Sequence, residues 1–280
     1  MINKTSNLEN YIISKKDKIK ISSKEIRKGD VFLALKGKNF HGNKFINTSL
    51  KKGAKFCITD NTNYKKNEKV IFVKDLFDYL KYLALKKRDL YKGDVIGITG
   101  SAGKTTLKET LAYFLKKNYI ISYSKKSYNN QLGVLISLLN LNLNSSYSIF
   151  EIGTNNFGEI KELTKIVRPK QIFITNIQST HLENFKTQNN IAIEKSDIFN
   201  SKYNKYGKKL YLNINTKSEE IIIKKSKREK KIKVIQIEKN SKKYFIKKIT
   251  LFNGLYNVCF SINKKNINFK TKSIIMFRLI

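Results

Sequence analysis

The 280-residue chain has no tryptophan, a single proline and two cysteines. With Pro169 alone, proline cannot mark where elements begin and end, and glycine and polar clusters must do so. Cys57 and Cys259 stand far apart and form no metal-binding or redox spacing. That poverty of cysteine fits a reducing compartment, so a cytoplasmic location is expected. No apolar run approaches the roughly 20 residues of a membrane span, and Met1 to Lys20 lacks the continuous apolar core of a signal peptide. Acidic residues are also scarce, 21 against 57 Lys and Arg, for a net charge of +36. A field of that sign attracts polyanions. The lysines, however, are spread along the whole chain, and the tyrosines and phenylalanines are scattered among them. A nucleic-acid footprint is localised. Abundant Lys, Asn and Ile match an AT-rich coding bias instead, so no nucleic-acid partner is expected.

What is present is an alternation of apolar runs and helical stretches. Val31–Leu35 is a buried-strand pattern ended by Gly37. Phe45–Lys52 reads as a helix closed by Gly53, Lys55–Thr59 and Lys69–Val73 read as strands, and Asp75 is placed to N-cap a helix through Lys87. A second unit starts near Asp94. Its strands are predicted at Val95–Thr99, Ser148–Ile152, Gln171–Asn176, Lys209–Asn213 and Lys233–Ile237, and its helices at Thr105–Lys117, Glu159–Val167 and Asn189–Phe199. The lysine-rich stretch Ser218–Lys233 reads as a solvated helix or loop. This alternation predicts an α/β fold with a mostly parallel sheet, whose ligands bind at the carboxyl ends of the strands.

One such end carries Gly100-Ser101-Ala102-Gly103-Lys104-Thr105-Thr106, between a predicted strand and a predicted helix. Glycines let the backbone approach phosphate oxygens and adopt positive φ. The helix N-terminus attracts the anion, the lysine reaches the β/γ-phosphates and the Thr105 hydroxyl suits Mg²⁺. A strict P-loop has glycine five residues before Gly103, where this chain has Ile98. The strand–turn–helix context is nevertheless that of an ATP-binding loop.

Further blocks extend the pattern. The loop Thr99–Thr106 resembles the phosphate loop of the Mur ligases. Asn129-Asn130-Gln131-Leu132-Gly133-Val134 and Glu151-Ile152-Gly153-Thr154-Asn155-Asn156-Phe157-Gly158-Glu159-Ile160 resemble two blocks that follow it in the family. Asn176-Ile177, His181–Phe185 and Glu194–Phe199 resemble the next ones. Near the start, Ser22-Ser23-Lys24 stands for Asp-Ser-Arg, followed by a close match over Gly29–Gly37. The resemblance covers about 240 residues. The Glu151–Ile160 block is typical of the family branch that adds D-alanyl-D-alanine to UDP-N-acetylmuramoyl-tripeptide.

The resemblance implies a UDP-sugar-binding domain over 1–88 and an ATP-binding central domain over 89–280. It implies an ATP-dependent ligation through an acyl phosphate, in peptidoglycan precursor synthesis; a monomer is expected, although no residue pattern indicates the oligomeric state. It implies two Mg²⁺ ions, with Thr105, Glu151, His181 and Lys195 as ligands and Lys195 carbamylated. Lys104, His181 and Lys195 would be catalytic, and Gly100–Thr106 with Asn257 would hold ATP. Ser23, Lys24 and Asn155 would meet the UDP-linked substrate, as would the Phe40-His41-Gly42-Asn43 segment. Asn257 lies in Gly254-Leu255-Tyr256-Asn257, which stands for Gly-x-His-Asn with tyrosine in place of histidine. Leu135 stands where the family usually has proline.

The family's third domain is not recognisable after Asn257, and the tail Lys270–Ile280 does not read as the helix expected there. A chain without the closing domain is therefore expected. Two further readings stay open: a non-catalytic nucleotide-binding remnant or half of a split ligase, and a basic nucleic-acid-binding ATPase.

Overall fold

The computed structural model describes residues 2–37, 41–64, 67–124, 126–213, 217–237, 244–262 and 265–271. Phe40 and most of the tail after Lys270 lie outside them. Two compact units emerge, one of Met1–Gly93 with Gln131–Ser146, the other of Asp94–Asn130 with Tyr147–Ile280.

In the first unit, β1 (Ile19–Lys20), β2 (Val31–Leu33), β3 (Phe56–Thr59) and β4 (Val70–Phe72) form a wholly parallel sheet in that order. Helices α1 (Ile2–Ser14), α2 (Ile46–Lys51) and α3 (Leu76–Leu90) accompany it. Asp75 N-caps α3 by accepting from the Asp78 amide at 2.8 Å, as predicted. Phe32, Ala34, Ile46, Cys57 and Val70 form one core. Burial there pushes the Cys57 thiol up to about 12, so it is an inert apolar filler.

The sequence pattern did not reveal α1, which buries Leu8 and Ile12, nor α5 (Gln131–Leu139). Helix α5 packs with this first unit through Val134, Leu135, Leu138 and Leu139, all essentially inaccessible. Leu135, in the position of the family's proline, is a buried helix residue here. The Asn140 side chain seals the helix end onto the sheet edge, accepting from Ile19 N at 2.8 Å and donating to Ile19 O at 3.1 Å.

Lys87 locks this arrangement. It is fully buried, and its ammonium donates to the carbonyls of Ile12 (2.9 Å), Lys15 (2.6 Å) and Leu139 (2.6 Å). Those carbonyls sit at the C-terminal ends of α1 and α5, which carry partial negative charge. Burial pushes the Lys87 pKa down to about 7. Three short contacts to acceptors nevertheless need three N–H donors, which only the charged form has. Lys87→Met should therefore cost about 3–5 kcal/mol, because it strands three buried acceptors. Urea denaturation would measure this, and a loss below about 1 kcal/mol would contradict the role.

The second unit holds a six-stranded parallel sheet in the order β10-β9-β8-β5-β7-β6. The strands are β5 (Asp94–Thr99), β6 (Ile121–Tyr123), β7 (Tyr147–Glu151), β8 (Gln171–Ile174), β9 (Lys209–Asn213) and β10 (Lys233–Ile237). Helices α4 (Lys104–Leu115), α6 (Glu159–Val167), α7 (Leu182–Phe185), α8 (Gln188–Ser196) and α9 (Lys217–Ser226) join them. The short β6 went unread in the sequence. Helix α9 corrects the expectation of a solvated stretch at Ser218–Lys233. It packs on α8, with Ile222 fully buried and Ser218 Oγ meeting Asn189 Oδ1 at 3.2 Å. The lone proline has a specific seat: a Cβ on Gly97 of β5 would meet Pro169 Cβ at 2.8 Å, so glycine there lets the ring close over the strand.

An antiparallel meander follows, β11 (Tyr244–Phe252), β12 (Leu255–Ile262) and β13 (Lys265–Thr271). Asn253 and Gly254, at φ 49° and 71°, form the two-residue turn that joins the first two strands. Among the described residues no helix is long and apolar enough to cross a membrane.

Candidate functional site

The glycine loop leaves the carboxyl end of β5, which lies between β7 and β8. Strand order reverses about β5, and ligands of such sheets bind at the carboxyl ends of the strands at that point. Gly100 has φ 145° and sits so close to Thr175 that a Cβ would overlap the Thr175 hydroxyl. Gly103, at φ 79°, is the left-handed N-cap of α4. Any larger residue at either position would be strained.

The segment after β8 braces the loop. Asn176 accepts from the Ser101 amide through its carbonyl at 3.0 Å and from the Ala102 amide through Oδ1 at 2.9 Å. The Thr175 hydroxyl donates to Ala102 O at 2.6 Å, and Ser101 Oγ accepts from Gln178 N at 2.9 Å. The first intrahelical bond of α4 runs from Leu107 N to Gly103 O, so the amides of Lys104, Thr105 and Thr106 precede it and emerge from the helix N-terminus. Lys104 folds back, with Nζ on Gly100 O at 2.7 Å and Ser101 O at 3.2 Å. Burial lowers its pKa, and the Glu151 charge opposes that shift.

Glu151, at the end of β7, is 1% exposed. Its Oε2 accepts from Thr105 Oγ1 at 2.8 Å, and its Oε1 accepts from Asn129 Nδ2 at 2.9 Å. Ser127 Oγ is 3.3 Å from Thr105 Oγ1. The predicted pair Thr105 and Glu151 is thus assembled, and it offers the hard oxygen donors that Mg²⁺ prefers. Gly153 makes room for Asn129, since a Cβ there would be 3.0 Å from the amide carbon, and its N–H donates to Asn129 O at 2.8 Å.

Lys195 is 3% exposed, near the C-terminal end of α8. Burial foremost, and then the Lys104 charge, push its pKa down to about 7, against the attraction of Glu194. No protein group among the described residues bonds its amine. Glu194 beside it is spent on structure: it accepts from Gly158 N at 2.8 Å and Ile160 N at 2.9 Å, at the start of α6. Burial raises its pKa and those two amides lower it. Asn155 lies in the loop thereby fixed. Its amide donates to Glu159 Oε2 at 2.7 Å, and its carbonyl accepts from Asn184 Nδ2 at 2.8 Å.

The remaining predicted residues have the following surroundings. His181 is exposed at the left-handed start of α7, with φ 54°. Among the described residues, no three His, Cys, Asp or Glu side chains stand close enough to hold a metal ion. Asn257 lies mid-strand in β12, opposite Thr250 and Lys270, not at a turn before a helix. In the first unit, the Lys24 amide donates to Ser22 Oγ at 3.3 Å and Lys52 Nζ donates to Ser23 O at 3.0 Å. His41 caps its own short turn through Nδ1 and meets Asp60 through Nε2 at 3.3 Å, while Asn43 accepts from the Thr59 hydroxyl at 2.5 Å.

Sequence reasoning passed over Lys108, Thr175, Asn176 and Glu194 as site residues. Asn129 and Asn176 stood within matched blocks, which was a usable signal. Lys108 had only its spacing, one turn after Lys104.

Known proteins resemble this chain in sequence and in fold. Residues 98–278 match the Mur ligase middle domain, and residues 17–88 match the Mur ligase family catalytic domain. The UDP-N-acetylmuramoyl-tripeptide–D-alanyl-D-alanine ligase of Rickettsia prowazekii is 39% identical over 184 residues, which are 65% of this chain and 41% of that protein. Its counterpart in Escherichia coli is 30% identical over 65% of this chain and 40% of its own length. The MurF ligase of Thermotoga maritima in complex with ADP superposes with a TM-score of 0.71 at 27% identity, covering 92% of this chain and 58% of that one. The chain therefore spans about two fifths of the length of these curated relatives. The middle-domain match alone takes in more than half of the residues and contains the glycine loop, Glu151 and Lys195, which places the chain in the Mur ligase family.

Proposed function

We propose that the chain takes part in the ATP-dependent joining of D-alanyl-D-alanine to UDP-N-acetylmuramoyl-tripeptide, as the names of its relatives describe. The observation that carries this is the Thr105–Glu151 pair, 2.8 Å apart, at the N-terminus of the helix that begins with Lys104. In the reaction, a carboxylate oxygen of the peptide attacks the γ-phosphorus of ATP and ADP leaves. The dipeptide amine then attacks the acyl carbon and phosphate leaves.

Both partners of the first step are anions, so the site must supply positive charge. Lys104 exchanges the Gly100 and Ser101 carbonyls for the phosphates. The amides opening α4 hold the same phosphates through the helix dipole. Mg²⁺ held by Thr105 and Glu151 would neutralise the approaching oxygens. Burial keeps much of Lys195 neutral near pH 7, the form that adds CO₂ to give a carbamate anion. We assign the peptide end of the substrate to Asn155 and the UDP-sugar to Ser23 and Lys24.

A coupled phosphate-release assay on the 280-residue chain, with each substrate omitted in turn, tests the reading. Release that needs ATP, the UDP-tripeptide and D-alanyl-D-alanine together is the expected result. Release stimulated by DNA or RNA alone would sink it. ATP binding without any release would favour the second reading, a nucleotide-binding part of a longer or divided ligase, which the two-fifths coverage of the relatives also favours.

A further inference from the structure

Lys108 lies on α4 one turn beyond Lys104, on the same face. Its side chain is completely inaccessible to solvent. A buried ammonium costs several kcal/mol unless it is paired and hydrogen-bonded. Here Nζ donates to Lys126 O at 3.0 Å and Ser124 Oγ at 3.4 Å, stands 3.3 Å from Glu109 Oε1, and points at Glu151 Oε2 from 3.8 Å.

These contacts join both parts of the Thr105–Glu151 site. Among the described residues, the hydrogen bonds that Glu151 receives are neutral ones, from Thr105 and Asn129. Ser124 and Lys126 belong to the segment between β6 and α5 that also presents Ser127 to Thr105 and Asn129 to Glu151. One cation therefore links the carboxylate to the segment that carries its partner Asn129, and does so from the helix that carries its partner Thr105. Lys104 cannot do this in a nucleotide complex, where its charge goes to phosphate.

We infer that Lys108 is a positioning residue for divalent-cation binding: it fixes Glu151, with Oε2 toward Thr105, and remains its permanent counter-charge when Lys104 turns to the nucleotide. This rests on the nucleotide-site reading above. Two opposing effects follow from its charge. Pre-organising the carboxylate strengthens cation binding, whereas a nearby positive charge weakens it. The tether to Lys126 O holds Nζ 3.8 Å from Oε2, an ion-pair contact longer than a hydrogen bond, which leaves the oxygen's lone pairs free for a cation while its direction is set, so orientation wins.

Mn²⁺ is the probe, measured by electron paramagnetic resonance on the full chain with ADP. Lys108→Met should weaken Mn²⁺ binding about tenfold, while ADP affinity in EDTA moves less than twofold. Lys108→Arg keeps the charge but not the fit, and should weaken Mn²⁺ about threefold. In a Glu151→Gln background, Lys108→Met should add nothing. An unchanged or tighter Mn²⁺ affinity in folded Lys108→Met overturns the inference. If that variant does not fold, as its melting curve would show, unchanged affinity in Lys108→Arg overturns it. A wild-type chain that binds neither ADP nor Mn²⁺–ADP overturns the site reading itself, and this role with it.

Discussion

Lys104→Ala should weaken MgATP binding about 100-fold, from the loss of charge-assisted bonds worth roughly 1.5–3 kcal/mol in the phosphate cradle. The effect is large because little else near the loop can compensate. The amides of Ser101 and Ala102 are held by Asn176, so the phosphates rely on the start of α4 and on Lys104. Lys104 is already desolvated and spends its donors on two carbonyls that it can release. Saturating nucleotide at about 100 times Kd stabilises a folded protein by roughly 2.7 kcal/mol. Melting curves of the wild-type chain should thus rise with MgATP, and those of Lys104→Ala should stay flat. An equal rise in both would show that the nucleotide binds elsewhere.

The second large effect is expected at Lys195. Lys195→Ala should lower tripeptide-dependent ADP release at least 100-fold, and formate or acetate should restore part of it by replacing the carbamate oxygens. A folded variant that keeps its activity would remove Lys195 from the chemistry. Failure of the acids to rescue would count against the carbamate specifically. A stability measurement gives an independent check. The folded pKa of Lys195, about 7, lies below its ordinary value of 10.5. The unfolded chain therefore holds the extra proton across that window, and stability rises with pH from about 7 to 10 by up to about 1.4 kcal/mol per unit. Below pH 7 the penalty is fully present and constant. Lys195→Met should flatten that part of the profile relative to wild type, as urea midpoints at pH 7, 8 and 9 would show.

Helix α9 shows why a sequence can mislead. The charged residues around Ile221-Ile222-Ile223 mask the buried side of α9, where Ser218, Ile222 and Ser226 lie, so a packed helix reads as solvated. Asn257 sits in a four-residue match, yet backbone pairing on both sides makes it a strand residue.

The sequence alone determined the α/β alternation, the glycine turn between β5 and α4, and the ordered blocks around Glu151 and Lys195. These are local features: apolar periodicity, positive-φ glycines and helix caps depend on neighbours a few residues away. Only the tertiary structure decided that Lys87 and Lys108 matter, for no motif marks them. They are identical in composition to dozens of solvated lysines, and they differ by burial and by partners far away in the chain. Lys87 meets Leu139 across 52 residues, and Thr105 meets Glu151 across 46. Loss of water makes each of those charges costly and therefore specific, and no pattern of adjacent letters records it.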